Sequence, residues 1–419
     1  DLVPFVTYFS AVTGDTVHTY MSDLKDYIVS GVSFSDVYVT GGTYNKITGG
    51  IRFGLKVVPI ETKYDKNEHP CNLENLVLKE LTENIVNKNI SPHIAYYLGT
   101  QKVTNKSKAL KMLNLKRLEV DGSIRTHSNM LISEYVDGGS LDNWIYNTYE
   151  NDKEIENEQW KNIVFQLIYT IAIIQKYYRM MHNDFHYGNI LIDTSIKPGG
   201  YFVYQIDKKI YYIRNTGIIP RLWDFEFSMV YSDKIPESYP NKFILGPYEY
   251  DRKLHKTIIT DKEIDNLSDR DLNVPFNYSE VYDVHYFLTS LLDLYISQEL
   301  FDWIIELYPR ELIPDDNDST STLKSSRSSN SSLDSFTSKF SSSSSSSSSE
   351  TESDRSFKQS TKYTDDNKYL LEGRLMNGAE DVFQLPTPLE LLNHKFFDSF
   401  TVKPDDFDEK TAIRFNAGF

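Results

Sequence analysis

The chain has 419 residues, of which 40% are hydrophobic and 25% are charged, and its formal net charge is −16. No apolar run reaches the roughly 18 residues that a membrane-spanning helix needs, so the sequence predicts no membrane partner. Nucleic acid is also an unfavourable partner for so acidic a chain, because binding to phosphate groups needs a basic face.

The chain contains a single cysteine, Cys71. One cysteine cannot form a disulfide bond within the chain, and we therefore expect a reducing, intracellular compartment such as the cytoplasm. We expect its thiol to be chemically inert.

The N-terminal part of the chain has the pattern of a β-sheet followed by a helix. Residues 25–58 alternate apolar and polar side chains in short runs broken by glycine-rich turns, which is typical of antiparallel strands. Residues 1–24 precede these runs and are interpreted as an N-terminal extension. Between residues 73 and 86 apolar side chains recur with a helical period, so we expect a long helix that packs on the sheet.

Helical periodicity dominates the middle of the chain. Residues 160–180 form a strongly apolar helical pattern, which is followed by a loop and an apolar strand at residues 190–192. Two β-rich runs within residues 201–214 flank a polar turn and predict a hairpin. A further helix is expected at residues 281–294.

Serine dominates residues 315–366, including an unbroken run from Ser341 to Ser349. So few apolar side chains cannot offset the entropy of ordering, and we interpret this segment as a disordered insertion. A last helical pattern covers residues 388–397. A small β-rich part followed by a larger helical part predicts an α+β fold class.

Two short segments carry groups that phosphoryl transfer requires. Residues 182–189, H-N-D-F-H-Y-G-N, place the Asp184 carboxylate and the Asn189 amide on one loop after an apolar helix. Residues 222–226, L-W-D-F-E, end an apolar strand with a second carboxylate, Asp224. Phosphoryl transfer needs hard oxygen ligands for a divalent metal and a group that orients the attacking hydroxyl. The ordered pair of segments therefore indicates a phosphotransferase.

These segments resemble the H-R-D-x-x-x-x-N and D-F-G motifs of the protein-kinase-like superfamily. The resemblance extends from about residue 25 to about residue 400 and implies a two-lobed α+β fold. It assigns residues 25–136 to a β-rich N-lobe and residues 137–314 to a mainly helical C-lobe, which residues 367–419 complete together with a C-terminal tail. The chain is also similar to kinase-like proteins of large DNA viruses, and a viral protein would be cytoplasmic or virion-associated.

By resemblance, Asp184 positions the substrate hydroxyl, and Asn189 and Asp224 bind Mg²⁺. Asp283, in the sequence Y-D-V-H, resembles the aspartate of a large-lobe helix that steadies the catalytic loop from below. Glu226 replaces the glycine of D-F-G. We consider two alternatives for Glu226, a ligand of a second cation and an outward-facing acid.

Residues 54–58, G-L-K-V-V, resemble the kinase V-A-I-K strand. The resemblance implies that Lys56 is a catalytic residue that holds the α- and β-phosphates of ATP. The helix that follows offers three acidic partners for this lysine, which are Glu74, Glu80 and Glu83. We choose Glu74, because apolar residues three, four and seven positions later would pack its helix inward.

The rest of the ATP site is also assigned by resemblance. Residues 30–37, S-G-V-S-F-S-D-V, align with the kinase glycine-rich loop, but all three family glycines are replaced, which weakens the expected grip on the phosphates. Residues 130–141 resemble the kinase hinge, which hydrogen-bonds to adenine, with Ser133 as a small gatekeeper. The residues implied in nucleotide binding are Ser30, Gly31, Val32, Ser33, Phe34, Ser35, Val37, Gly54, Lys56, Glu74, Glu134, Val136 and Leu191.

Two residues make the catalytic loop atypical. Asn183 replaces the arginine that binds an activation-loop phosphate, so activation by that route is not expected. His186 stands where most protein kinases carry a lysine, and residues 186–189, H-Y-G-N, resemble the H-W-G-N of haspin-type kinases. The same positions also resemble choline and ethanolamine kinases and aminoglycoside phosphotransferases, so two substrate classes stay open.

The remaining motifs favour a protein substrate, and the chain itself is one candidate for that substrate. The hinge, the Y-D-V-H helix and the L-L-N-H-x-F-F segment at residues 391–397 are closer to protein kinases. No clear A-P-E motif lies between residues 224 and 283, which keeps a small-molecule kinase as an alternative. The replaced glycines support a third alternative, a pseudokinase that binds partners without catalysis. We predict a serine/threonine protein kinase that uses ATP and Mg²⁺, and its oligomeric state stays open.

Overall fold

The computed structural model of the protein describes residues 28–29, 36–40, 53–61, 70–104, 125–235, 249–251, 256–258, 278–309 and 384–418. Three predicted features lie outside the described residues: the N-terminal extension, the loop at residues 30–35 that aligns with the glycine-rich loop, and the serine-rich segment at residues 315–366. The domain boundaries proposed from the sequence stay predictions.

Five antiparallel strands form the sheet of the N-terminal part. They are β1 (Ile28–Val29), β2 (Asp36–Thr40), β3 (Phe53–Glu61), β4 (Tyr97–Thr104) and β5 (Arg125–Glu134), in the spatial order β1-β2-β3-β5-β4. The central strand is β3, which pairs with β2 on one side and with β5 on the other. The predicted antiparallel sheet is confirmed.

One helix, α1 (Pro70–Leu81), packs against β4 and β5 and continues into a π-helical turn, Thr82–Val86. Its apolar side chains recur every three or four residues, so they lie on one side of the helix. The buried apolar side chains are Leu73, Val77, Leu78, Leu81 and Ile85. This confirms the helix that the periodicity predicts, and Glu74 is buried with them.

A short helix, α2 (Leu141–Glu150), leads into the long helix α3 (Asn157–Tyr178). Buried residues occur on all sides of α3, as expected for a helix in the middle of a core. The side chains of Glu156 and Gln159 form a capping box at its start, and Arg179 ends it in a left-handed conformation with a φ of 47°. The apolar helix predicted at residues 160–180 is confirmed.

Three further helices pack around α3; they are α4 (Tyr282–Leu291), α5 (Gln298–Glu306) and α6 (Pro388–Leu392). The predicted single helix at residues 388–397 is wrong in its second half. A separate 3₁₀ helix, Lys395–Thr401, follows α6, because the His394 side chain accepts a hydrogen bond from the Phe396 N–H and starts a new turn.

Nine further strands lie in the rest of the described chain, and the last of them is β14 at the C-terminal end. The first eight are β6 (Met180–Met181), β7 (Ile190–Asp193), β8 (Tyr201–Ile206), β9 (Lys209–Arg214), β10 (Ile219–Leu222), β11 (Met229–Val230), β12 (Glu249–Asp251) and β13 (Lys256–Ile258). Antiparallel pairs form between β6 and β11 and between β7 and β10. The segment at residues 182–189 lies between β6 and β7. The β8–β9 hairpin confirms the hairpin predicted at residues 201–214.

The C-terminal strand β14 (Ile413–Asn416) was not predicted. It lies parallel to β8 and extends the β8–β9 hairpin to three strands. Phe415 is buried against Tyr204, with 5.1 Å between ring centroids. The Asn416 N–H donates to the Asn89 carbonyl at 3.1 Å, so this strand also contacts the turn that follows α1.

A β-rich N-terminal part followed by a mainly helical part confirms the predicted α+β fold class. Within the ranges that the structure describes, every helix is too short or too polar to cross a membrane. The predicted site residues that the structure describes lie where the five-stranded sheet, α1 and the β7–β10 pair meet.

Candidate active site

Lys56 lies at the centre of the candidate site. On β3 it is the register partner of Val37 in β2, and its side chain is only 1% exposed. Three carboxylates surround its ammonium group. The Lys56 Nζ lies 2.9 Å from Glu74 Oε2, 2.9 Å from Asp224 Oδ1 and 3.0 Å from Glu226 Oε1. A buried ammonium group is stable only with such partners.

Helix α1 contributes Glu74, which is also 1% exposed. Of the three acidic residues considered as partners of Lys56, the structure places Glu74 beside it. Glu80 and Glu83 make other contacts, and Glu83 lies half exposed at 3.9 Å from Lys79. The choice made from the apolar spacing of the helix therefore agrees with the observed contact.

One lysine does not neutralise three carboxylates. Burial raises the pKa of Glu74 to about 8 against the effect of Lys56, and Asp224 and Glu226 raise it further. Burial disfavours the charged form of Lys56, but the three carboxylates more than offset this effect and raise its pKa above the ordinary value. The carboxylate oxygens lie within 4.8 Å of one another. Bringing three carboxyl groups so close together disfavours their ionised forms, and an additional cation beside them would favour those forms.

Asp283, at the start of α4, holds the backbone of the loop at residues 182–189. Its two carboxylate oxygens accept hydrogen bonds from the His182 N–H at 2.7 Å and from the Asn183 N–H at 2.8 Å. Asn183 has a left-handed φ of 63°, and its Nδ2 donates to the Phe227 carbonyl at 2.9 Å. Asp283 thus lies where the resemblance implies. Asn183 binds the segment after β10 directly through its own side chain, so this contact needs no phosphate group.

Asp184 and Asn189 are joined directly. The Asn189 Nδ2 donates to the Asp184 carbonyl at 2.9 Å and to Asp184 Oδ2 at 2.8 Å. The Trp223 N–H in turn donates to the Asn189 carbonyl at 3.0 Å. These bonds connect the loop at residues 182–189 to the end of β10, and they bring Asp224 to this loop.

A buried histidine strengthens this connection. Burial lowers the pKa of His182 to about 4, so its ring is neutral at pH 7. Its Nδ1 accepts from the Asp184 N–H at 3.3 Å, which makes Nε2 the donor to the Trp223 carbonyl at 3.0 Å.

His186 lies against Asp184, with 3.7 Å between its Nε2 and Asp184 Oδ2. Its Nδ1 accepts a hydrogen bond from the Gly188 N–H at 3.1 Å. A methyl group at Gly188 would come within 2.7 Å of the imidazole ring, so a larger residue at this position of H-Y-G-N would have to displace the ring of His186. The hydrogen bond to Nδ1 leaves Nε2 as the ring nitrogen that faces Asp184.

The D-F-E segment turns sharply after β10. Asp224 has a left-handed φ of 63° and is the most accessible acid of the cluster, at 28% exposed. Phe225 is buried against the His182 ring, with 4.9 Å between the ring centroids. Glu226 is 14% exposed and faces Lys56, so the outward-facing alternative for Glu226 is wrong.

The predicted nucleotide-binding residues that the structure describes lie on β2, β3, α1 and β7 and at the end of β5. Gly54 pairs with Ser133, and a Cβ at Gly54 would lie 2.8 Å from the Ser133 Oγ. Val136 is buried just after β5, and Leu191 lies on β7. The loop residues 30–35 lie outside the described residues, so their role stays a prediction.

Arg221 was missed in the sequence. It lies on β10 three positions before Asp224, and its guanidinium group contacts Glu134 and Asp193. The Glu134 side chain therefore belongs to a buried ion cluster. A single arginine in a strand carries no sequence signal, because its partners are distant in the chain.

The chain is 24% identical over 314 residues to a candidate serine/threonine-protein kinase of Acanthamoeba polyphaga mimivirus. The aligned region covers 66% of this chain and 61% of that protein. A second candidate serine/threonine-protein kinase of the same virus is 28% identical over 148 residues, 34% of this chain and 30% of that protein. A third, of Dictyostelium discoideum, is 39% identical over 75 residues, 18% of this chain and 6% of that protein. The chain thus spans about three fifths of the length of the first relative.

These relatives confirm the predicted resemblance to protein kinases and to kinase-like proteins of large DNA viruses. No protein-family model matches the chain. Among solved structures, the BubR1 kinase domain is 15% identical with a TM-score of 0.31, over 49% of this chain and 47% of that one. A structure of Rad53 in complex with AMP-PNP is 18% identical with a TM-score of 0.29, over 48% of this chain and 38% of that one.

Proposed function

We propose that the protein is an ATP- and Mg²⁺-dependent phosphotransferase whose acceptor is a serine or threonine hydroxyl of a protein. The observation that carries the proposal is the pair of ion contacts of buried Lys56, 2.9 Å to Glu74 and 2.9 Å to Asp224. A lysine suited to bind phosphates is thereby held beside a carboxylate suited to bind a metal. Protein kinases need both groups in place for phosphoryl transfer.

The residues at this site fit a magnesium ion. Asp224 offers carboxylate oxygens, and Asn189 offers an amide oxygen because its Nδ2 is used by Asp184. Hard oxygen ligands of this kind are those that Mg²⁺ binds, and the excess of carboxylates around Lys56 favours a cation. When bound, Mg²⁺ would neutralise charge on the phosphates.

Each residue has a separate task in the proposed reaction. Asp184 accepts the hydrogen of the substrate hydroxyl and directs its oxygen at the γ-phosphorus, so a P–O bond forms while the bond to the β-phosphate oxygen breaks. Asn189 fixes the orientation of the Asp184 carboxylate. Lys56 holds the phosphate oxygens that become the leaving group, and Glu74 keeps its ammonium group in place.

The hinge supplies the proposed contacts to adenine through its backbone. The Glu134 N–H already donates to the Tyr96 carbonyl at 2.9 Å, so the Glu134 carbonyl is the proposed acceptor from adenine. Val136 offers the second backbone contact. Gly54 and Leu191 would lie above and below the base.

Sequence features support a protein acceptor. The three relatives carry the name serine/threonine-protein kinase, and the hinge and closing segments of the chain resemble protein kinases. One observation supports a second candidate, a small-molecule kinase: the D-F-E segment turns Glu226 toward Lys56, and D-F-E also resembles choline kinases and aminoglycoside phosphotransferases.

The acceptor class can be tested with one labelling experiment. The purified chain would be incubated with Mg²⁺ and γ-labelled ATP together with basic proteins, choline-like amines or aminoglycosides. We expect label in protein, and we expect Asp184→Asn to reduce the rate by about 100-fold or more, because a positioned base is worth about 10²–10⁴-fold. Asp405→Asn, at an exposed aspartate, is the matched control.

Three other results are informative. Label in amines or aminoglycosides alone would favour the second candidate. A thermal shift with ATP but no label in any acceptor would indicate a pseudokinase. Label that does not depend on Asp184 would contradict the proposed site.

A further inference from the structure

Arg221 lies at the centre of a buried ion cluster that contains none of the proposed catalytic residues. Its Nη2 donates to Asp193 Oδ2 at 2.8 Å, its Nη1 donates to the Pro92 carbonyl, and its Nε lies 3.7 Å from Glu134 Oε1. The Arg221 side chain is only 12% exposed. A buried guanidinium group with two hydrogen-bond acceptors and one ion contact, on three separate segments, connects those segments.

Each partner of Arg221 is itself fixed. Glu134, the last residue of β5, accepts a hydrogen bond from the Tyr96 N–H at 2.8 Å through the same Oε1 that faces the arginine. Asp193, the last residue of β7, accepts from the Ser195 N–H at 2.9 Å and from the Ser195 hydroxyl at 2.6 Å. The cluster therefore joins the start of the hinge to the end of the strand that carries Leu191.

The segment after Pro92 binds β10 through its backbone as well. The Leu222 N–H donates to the His93 carbonyl at 2.9 Å, and the Ala95 N–H donates to the Leu222 carbonyl at 3.0 Å. Leu222 is thus held on one side by this segment and on the other by Ile190 of β7. The position of β10 along its axis is fixed next to Arg221.

From Arg221 a short path leads to the proposed metal ligand. Trp223 donates to the Asn189 carbonyl at 3.0 Å and accepts from His182 at 3.0 Å. Asp224 follows immediately in the left-handed conformation that turns it toward Lys56. Leu222 and Trp223, the residues between Arg221 and Asp224, are hydrogen-bonded to neighbouring segments. A shift of β10 would therefore displace the contacts of Trp223 with Asn189 and His182.

We infer that Arg221 is a positioning residue for the metal site: its hydrogen bonds to Asp193 and the Pro92 carbonyl, together with its ion contact to Glu134, fix β10 and so place Asp224. This inference rests on the proposed function. Lysine could not replace the arginine fully, because an ammonium group lacks the planar fork that reaches several acceptors at once.

The test compares Arg221→Met, Arg221→Lys and a matched control, Arg414→Met, at a half-exposed arginine that pairs with Glu409. Binding of Mn²⁺ in the presence of a non-hydrolysable ATP analogue would be measured by electron paramagnetic resonance, next to the thermal midpoint. We expect Arg221→Met to weaken Mn²⁺ binding by about tenfold, because groups that orient metal ligands are commonly worth about 10- to 100-fold in metal affinity.

We expect Arg221→Lys to lie between the parent and Arg221→Met, and the control to match the parent. Unchanged Mn²⁺ binding in Arg221→Met, whatever its thermal midpoint, would overturn the inference and leave Arg221 a structural role alone. If Arg221→Met does not fold, Glu134→Gln and Asp193→Asn remove one carboxylate charge each and keep the arginine. Both should weaken Mn²⁺ binding, and two variants with parental binding would also overturn the inference.

The parent protein separates this inference from the proposed function. A parent that binds Mn²⁺ with the analogue but transfers no phosphate contradicts the proposed function, while the effect of Arg221→Met on Mn²⁺ still decides the inference. A parent that binds no Mn²⁺ with the analogue contradicts both.

Discussion

Lys56 is buried beside three carboxyl groups, and its single ammonium group cannot neutralise all three. Its ammonium group lies within 3.0 Å of oxygens from Glu74, Asp224 and Glu226, and the lysine itself is 1% exposed. In the low-polarity interior each of these ions depends on the others, so a change at one of them alters the charge of the whole cluster. The same crowding of carboxyl groups is the reason why we propose a cation at this site.

We expect Lys56→Met to abolish phosphoryl transfer and to lower the free energy of unfolding by about 3–5 kcal/mol, because breaking a buried pair leaves the partner charge without compensation. Adding Glu74→Gln to Lys56→Met should recover part of this loss, since the uncompensated charge is then removed. Urea denaturation of the two single variants and the double variant would measure the coupling. A double variant that shows the sum of the two single losses would contradict the account.

Glu226 is expected to contribute to metal binding. Since it faces Lys56 and lies beside Asp224, replacing it by glutamine should raise the Mg²⁺ concentration for half-maximal phosphoryl transfer by about tenfold. Glu409→Gln, at an exposed glutamate, is the control. An unchanged Mg²⁺ requirement would dismiss Glu226 as a ligand of a second cation.

Among the elements, β14 shows how a distant strand completes the core. Phe415 packs on Tyr204 at 5.1 Å, and the neighbouring Ala417 N–H donates to the Gln205 carbonyl at 3.0 Å. The strand thereby joins the hairpin to the turn after α1. Helix α1 is the element that carries Glu74. Its contribution is to stability, because none of its residues lies in the candidate site.

We expect Phe415→Ala to lower the free energy of unfolding by about 3–5 kcal/mol, the usual cost of removing a buried aromatic ring. Ile413→Ala tests the same strand at a residue that is 46% exposed, and it should change stability by no more than about 0.5 kcal/mol. Denaturant titration of both variants gives the comparison. Equal losses at the two positions would contradict the burial that the structure shows.

Elements with a strong local pattern could be predicted from the sequence. The apolar period of α3 and the strand runs of the β8–β9 hairpin are such patterns, and the loop at residues 182–189 carries its own motif. By contrast, β14 is a four-residue strand whose partner lies about two hundred residues earlier, and Arg221 gains its meaning only from Glu134 and Asp193. Contacts between distant segments leave no period in the sequence, so these features could not be predicted.

The stability of the whole molecule should depend on pH through three buried histidines. Burial lowers the pKa of His93 to about 3 and the pKa values of His182 and His285 to about 4. Below about pH 6.5 the unfolded chain takes up protons at these residues and the folded chain does not, so the folded state loses stability as the pH falls from about 6.5 toward 4.

His285 offers the cleanest test, because it lies away from the proposed metal ligands. Its ring contacts the Tyr308 hydroxyl and the Pro386 carbonyl, both at 2.8 Å. Between pH 7 and pH 5 this residue should account for a loss of about 2 kcal/mol in the free energy of unfolding, which His285→Gln would abolish. His394→Gln, at a partly exposed histidine, is the control. If His285→Gln showed the parental change with pH, the buried neutral state would be contradicted.

At the scale of the whole molecule, the β-rich N-terminal part and the mainly helical part meet at one site, with Lys56 and Glu74 from the first and Asp184, Asn189 and Asp224 from the second. The central claim is that this arrangement transfers phosphate. The most direct measurement is transfer of the γ-phosphate of ATP to protein serine or threonine, with and without Mg²⁺, by the parent and by Asp184→Asn. We predict Mg²⁺-dependent transfer by the parent and almost none by the variant. No transfer by the parent, or equal transfer by both proteins, would contradict the account.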